Sequence, residues 1–150
     1  MRCFSISGKA KGQAISGEQN LSELLRTLSA TLVDGIYVFA TIPNDPLPEH
    51  ITPRMVFQEA EGTTLILLKT DADAQAIAYE FPCRMITLDV HSSLEAVGFI
   101  ARIATELAKQ GMGVNPVSGY FHDHLFVPDG REKDAMQILA RIANGGLDKD

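Results

Sequence analysis

An amphipathic helix, a glycine stop, a strand, a second strand and a shorter helix follow one another along this chain, and then the same order is written again. No single short element constrains the fold as strongly as this duplication. In the first half, Leu21, Leu24, Leu25, Leu28 and Leu32 recur at helical spacing and predict a helix over 21–33. Asn20 stands where a capping oxygen belongs, Glu23 three residues on, and Gly35 supplies the stop. A β-branched and aromatic strand is expected over 36–42. The stretch 43–53 then holds four of the chain's seven prolines and reads as a loop. Strands over 55–60 and 64–69, joined through Glu61-Gly62-Thr63, form a hairpin, and a short helix over 71–78 follows.

The second half opens with a strand over 84–90 and a helix over 94–109, whose Leu94, Val97, Ala101, Ala104 and Ala108 face a core. Glu95, Arg102, Glu106 and Lys109 make its wet face. Ser92 with Glu95 reads as a capping box, and Gly111 as the stop. Strands over 114–121 and 125–127, turning through His122-Asp123-His124, lead to a last helix over 132–143. The halves align in residues too: Thr64 to Leu68 precedes one alanine-rich helix as His124 to Pro128 precedes the other. The expected fold is α+β, two βαββαβ-type ferredoxin-like units, antiparallel sheets with helices on one face. The expected division is an extension over 1–17, a first unit over 18–80 and a second over 81–150. Within the extension, Cys3 to Ser7 alternates like a short strand.

Composition narrows the function. A formal net charge of −6, with no basic run, argues against a nucleic-acid partner. No apolar stretch approaches the roughly 18–20 residues that span a bilayer, so no membrane partner and a cytoplasmic location are expected. Cys3 and Cys83 lack a C-x-x-C spacing and read as free thiols.

Catalytic readings fare poorly. Ser118 follows Val117 without the glycine of a nucleophile elbow, and Gly111-Met112-Gly113 follows a helix instead of the strand that a phosphate loop needs. Lys69-Thr70 has no glycine-rich approach. Glu59 and Glu61 alternate on one strand and read as a solvated edge. His122 and His124 would face one way on an extended segment, as metal ligands might require, yet His50 and His91 sit at no ligand spacing from them, so a polar turn is the simpler account. No catalytic residue, metal or cofactor is assigned, and the chain is expected not to be an enzyme.

Residues 21–42, with Gly35-Ile36-Tyr37-Val38-Phe39, and residues 85–90 through 114–128, with Val114-Asn115-Pro116-Val117-Ser118-Gly119-Tyr120-Phe121-His122-Asp123-His124, together carry a resemblance. They resemble a bacterial family of small tandem ACT-domain proteins of unknown function, over 16–142. They are also similar to the ACT units of aspartate kinases and of animal arginine sensors. The resemblance implies a regulatory protein that binds a small-molecule effector such as an amino acid, with the ligand near the first strand-to-helix junction and the adjoining strand, here 89–100 and 114–118. Candidate ligand-binding residues there are Asp89, Ser92, Val97, Gly98, Phe99, Asn115 and Val117. Asp89 at a strand end can accept from an ammonium, helix-start amides favour a carboxylate, Gly98 lets a ligand approach closely, and Asn115 both donates and accepts. Open sheet edges can be satisfied by a second copy of the chain, as a homodimer, or by pairing of the two units within one chain, and the sequence does not choose between them. The alternative function is a structural oligomerisation module that takes no ligand.

Overall fold

The computed structural model describes residues 17–44 and 46–146. The stretch Cys3 to Ser7 and the thiol of Cys3 lie outside the described residues, as does most of the expected extension. In chain order the elements are α1 (Leu21–Arg26), β1 (Ala30–Leu32), β2 (Tyr37–Ile42), β3 (Met55–Gln58), β4 (Thr63–Leu68), α2 (Lys69–Ala74), β5 (Tyr79–Leu88), α3 (Phe99–Lys109), β6 (Asn115–Ser118), β7 (Asp123–Pro128) and α4 (Glu132–Ala143). Every named strand pairs antiparallel, in one seven-stranded sheet ordered β3-β4-β2-β5-β7-β6, with β1 also paired to β5. The α+β reading, two ferredoxin-like units with an antiparallel sheet and helices on one face, is what the chain builds.

The ten-residue β5 joins the halves. Its start pairs with β2, Ala40 facing Tyr79 and Tyr37 facing Cys83; its later residues pair with β7 over Cys83 to Leu88 and with β1 over Ile86 to Leu88. The register slips between Tyr37 and Phe39, beside Phe81 at φ 53°. An irregularity of one residue exchanges the two faces of a strand. Tyr79 therefore packs on the helix side at one end, Phe81, Cys83 and Met85 on the opposite face, and Ile86 and Leu88 on the helix side at the other end.

The main core lies between the sheet and three helices: Leu24 and Leu28, Phe99, Ile103 and Leu107, and Ala135, Ile138, Leu139 and Ile142 meet Ile86, Leu88, Leu125 and Val127. Each large side chain buried there stabilises the fold by about 1.5–3 kcal/mol. Arg84 reaches Glu132 at 3.4 Å and ties the first turn of α4 to β5. A smaller cluster of Val38, Ala40, Leu65, Leu67 and Ala72 is covered by α2 and by Ile51 of the proline-rich loop. Among the described residues the opposite sheet face bears no helix, and Tyr37, Ile66, Cys83, Met85 and Phe126 bury one another there, with Phe126 edge-on to both Tyr37 and Phe39. Cys83 donates its thiol to the Tyr37 carbonyl, and burial followed by the charge of Asp129 pushes its pKa up to about 12.

Several boundaries depart from expectation. The first helix stops at Arg26, because Leu28, Ala30 and Leu32 also satisfy a period of two and the last three residues pair with β5. Asn20 does cap it, accepting from the Glu23 amide at 3.1 Å, while the Glu23 carboxylate turns to Arg26. β5 begins five residues earlier than residue 84. The long helix of the second half starts at Phe99, since Gly98 lies at φ 89°, a left-handed conformation no helix residue adopts. The turn between β6 and β7 occupies 119–122, leaving Asp123 and His124 on β7. Among the described residues no helix is long and apolar enough to cross a membrane.

Candidate functional site

Asp123 opens β7 at a position set by strand alternation. Leu125 and Val127 face the helices, so Asp123, of the same parity, faces them too, and it is only 6% exposed. Burying a carboxyl is costly unless hydrogen bonds replace water. Two hydroxyls do so: Ser92 Oγ donates to Oδ2 at 2.9 Å and Ser118 Oγ to Oδ1 at 2.5 Å. The second contact follows from register, Ser118 and Asp123 being direct partners across β6 and β7. With both oxygens accepting, the group remains an acceptor for anything that enters beside it.

Beside it is a cavity of about 180 Å3, lined by Ser92, Ser93, Ala96, Gly98, Phe99 and Ile100 from the segment leading into α3, and by Ser118 and Asp123 from the sheet. Among the described residues Asp123 is the one charged side chain in that lining. Gly98 occupies the N-cap of α3 and no side chain caps the helix, so the first amides of an eleven-residue helix lack a side-chain partner at the cavity. These amides carry partial positive charge and suit an anion. A hydrogen-bond acceptor and a helix N-terminus thus bound one small space. The floor is apolar where Phe99 enters the core.

The mouth is framed by exposed apolar side chains. Leu94 is 70% and Val97 83% exposed on the segment before α3, and Tyr120 and Phe121 stand on the β6–β7 turn, with Phe121 against His91. Across the segment lies the chain's first described stretch: the Glu18 amide donates to the His91 carbonyl and the Ser93 amide to the Glu18 carbonyl, both at 2.9 Å. Gly17 approaches so closely that a Cβ there would stand 2.5 Å from the Ser93 nitrogen.

The structure brings three of the seven candidate residues, Ser92, Gly98 and Phe99, into this cavity. Ser92 does so through Asp123, and the capping hydroxyl in that segment is that of Ser93, which accepts from the Glu95 amide at 3.2 Å. Asp89 lies outside the lining, exposed at the end of β5, where it accepts from Thr31 Oγ1 at 2.6 Å and its amide donates to the Ser29 carbonyl. Val97 belongs to the rim. Asn115 is exposed on the edge strand β6, and Val117 packs against the helix-free cluster on the other face. Sequence reasoning missed Asp123 and Ser118. The available signal was a carboxylate in phase with Leu125 and Val127.

His124, next along β7, faces the helix-free side and shares a 3.0 Å hydrogen bond with Thr87. Burial, then the neighbouring His122, holds its pKa below the ordinary imidazole range. Among the described residues no three His, Cys, Asp or Glu side chains gather as a metal site.

Two family models match, both described as ACT domain, one over residues 16–84 and one over 80–141. The chain is 39% identical to a Vibrio cholerae protein of unknown function described as a possible transport protein, with 80% of this chain and 93% of that one covered and a TM-score of 0.72. The chain belongs to the ACT-domain family, with two such domains in tandem. A protein from Agrobacterium tumefaciens shares its fold at 16% identity, TM-score 0.66, over 77% of this chain and 89% of that one. So does the regulatory subunit of aspartate kinase from Thermus flavus, at 11% identity, TM-score 0.58, over 75% and 95%. No curated protein sequence matches the chain. Membership of the ACT family supports a regulatory, ligand-binding module.

Proposed function

We propose that this tandem ACT protein is a cytoplasmic regulatory module, without catalytic activity of its own, that binds a small amino acid in the cavity at the start of α3. The observation that carries the reading is the pairing of Asp123 with the uncapped α3 N-terminus across one small cavity. A zwitterion needs an acceptor for its ammonium and donors for its carboxylate, held out of bulk water. Asp123 supplies the first and the amides at Phe99 and Ile100 the second, while Ser92 and Ser118 fix the carboxyl in place. The cavity's size favours small side chains. Asp89 and Asn115 act, on this reading, at the periphery.

A second copy of the chain is the partner we assign to the rim. Leu94, Val97, Tyr120 and Phe121 are exposed beside the edge strand β6, which among the described residues pairs only with β7. A homodimer through this edge would close the cavity mouth. The structural oligomerisation reading keeps the same interface and dispenses with the ligand.

The test is a thermal-melting series of the wild-type chain against the twenty amino acids. A ligand that binds only the folded state at 100 times its Kd adds about 2.7 kcal/mol of stability. We expect one or a few small amino acids to raise the melting midpoint, and Asp123→Asn, which keeps the shape and one acceptor oxygen but removes the charge, to abolish the rise. If no amino acid shifts the midpoint while the chain still dimerises, the oligomerisation reading replaces the sensor.

A further inference from the structure

A larger cavity lies elsewhere, at the end of the sheet built by the first half. It measures about 630 Å3 and is lined by Phe39, Ala40, Thr41, Glu59, Thr64, Ala78, Tyr79 and Glu80. Strand register explains how these come together. Thr41 faces Thr64 across β2 and β4, and Glu80 faces Phe39 across β5 and β2. Phe39 belongs to the helix-free cluster, and Thr41, two residues on, shares its face. The row therefore crosses the helix-free side of the sheet, opposite to the side on which α2 packs. Glu59 stands at one end of the row and Glu80 at the other.

The chemistry of this cleft is one-signed. Among the described residues neither Lys nor Arg lines it. Glu59 accepts from the Thr64 hydroxyl through Oε1, which leaves Oε2 open, and the Glu80 side chain has no partner among the described residues. The wall between them is the Phe39 ring with the hydroxyls of Thr41 and Thr64, while Tyr79 and Ala40 direct their side chains to the helix side. Phe57, paired with Thr64 and 60% exposed, extends the apolar surface on the same face. A volume of this size is that of an ordinary small-molecule site, apolar with a few polar groups to orient the guest. Aromatic faces and carboxylates both attract a cation, and both are poor hosts for an anion.

We propose that this cleft is a second ligand site, separate from the Asp123 cavity, which takes a small organic ammonium with an apolar or aromatic body. The ammonium lies between Glu59 and Glu80, and the body rests on Phe39. The half of the chain in which a proline-rich loop stands in place of a long helix thereby has a binding role of its own.

The experiment titrates the full wild-type chain with phenethylamine, 2-phenylethanol and phenylacetate while backbone amide resonances are followed by NMR. The amine is expected to give saturable shifts at Thr41, Thr64 and Tyr79, with affinity at least tenfold above the uncharged alcohol; phenylacetate leaves these resonances unmoved. The double variant Glu59→Gln/Glu80→Gln, both positions being exposed, is expected to weaken the amine at least tenfold, whereas Asp123→Asn leaves it unchanged. Equal binding of amine and alcohol, shifts that map away from these strands, or an unaffected double variant would each overturn the proposal. Because Asp123→Asn is the decisive variant for the other cavity, failure of one site is read separately from failure of the other.

Discussion

The two halves of the sheet are built to the same order and finished differently. In the second half an eleven-residue helix connects β5 to β6, and its Phe99, Ile103 and Leu107 are buried in the main core. In the first half the corresponding connection, between β2 and β3, is a proline-rich loop that contributes Ile51 to a small cluster. Proline removes the amide that a helix interior needs, so the loop cannot do what α3 does. A helix in that connection gives the second half a small cavity beside an uncapped helix end; a loop leaves the first half with a larger and more open one on the opposite face. The same topology thus yields two cavities of different size and different lining.

The contrast is broken most easily at the core. Ile103→Ala is expected to cost about 2–5 kcal/mol in chemical denaturation, against about 1 kcal/mol for the half-exposed Ile51→Ala. Equal losses would mean that the loop supports its half as firmly as the helix does. Next in size is Gly98→Ala. At φ 89°, with a Cβ that would lie 3.4 Å from Leu21 Cδ2, the substitution is expected to cost about 1–2 kcal/mol, and to weaken any effector-induced rise in melting temperature by turning the first amides of α3. Gly111→Ala, also at positive φ but with nothing within 4 Å, should show the strain without the effect on the effector.

The smallest effect belongs to His124, on the face the halves share. Its folded-state pKa lies below 6.5, from burial first and then from the charges of His122 and Arg54, with Asp123 and Asp89 opposing. Between that lowered value and 6.5 the unfolded chain binds more protons than the folded one, so stability declines as pH falls through this window and is fully present above it. Denaturation midpoints measured from pH 7.5 to 5 should show the decline in the wild type and less of it in His124→Asn. Identical slopes would place the titration elsewhere.

Much of this architecture was legible because periodicity and packing agreed. The last helix matches expectation at both ends, its four buried residues all on one stripe. The β4-to-α2 and β7-to-α4 passages lie where the internal repeat puts them. Legibility failed where one local pattern fitted two structures. Leu28 and Leu32 suit a helix and a strand alike, and only the distant β5 decides between them. Ser92 and Glu95 read as a helix start, but Ser92 is committed to Asp123, thirty-one positions away, and local reasoning has no access to that bond. Asp123 was readable in principle, because a carboxyl on the core-facing parity of a strand demands an explanation. Between two histidines it passed for a turn residue.

The pairing of β1 with β5 also sets a timetable. Ala30 meets Leu88 roughly sixty residues later, and closing so long a loop costs entropy before any contact repays it. As the chain leaves the ribosome, the apolar stripe of α1 and the edge of β1 emerge well before α3, β7 and α4, against which they are finally buried. The main core is therefore completed last although β1, which packs against it, is the first strand to be made, and in that interval its apolar surface is exposed as partly folded chains expose theirs.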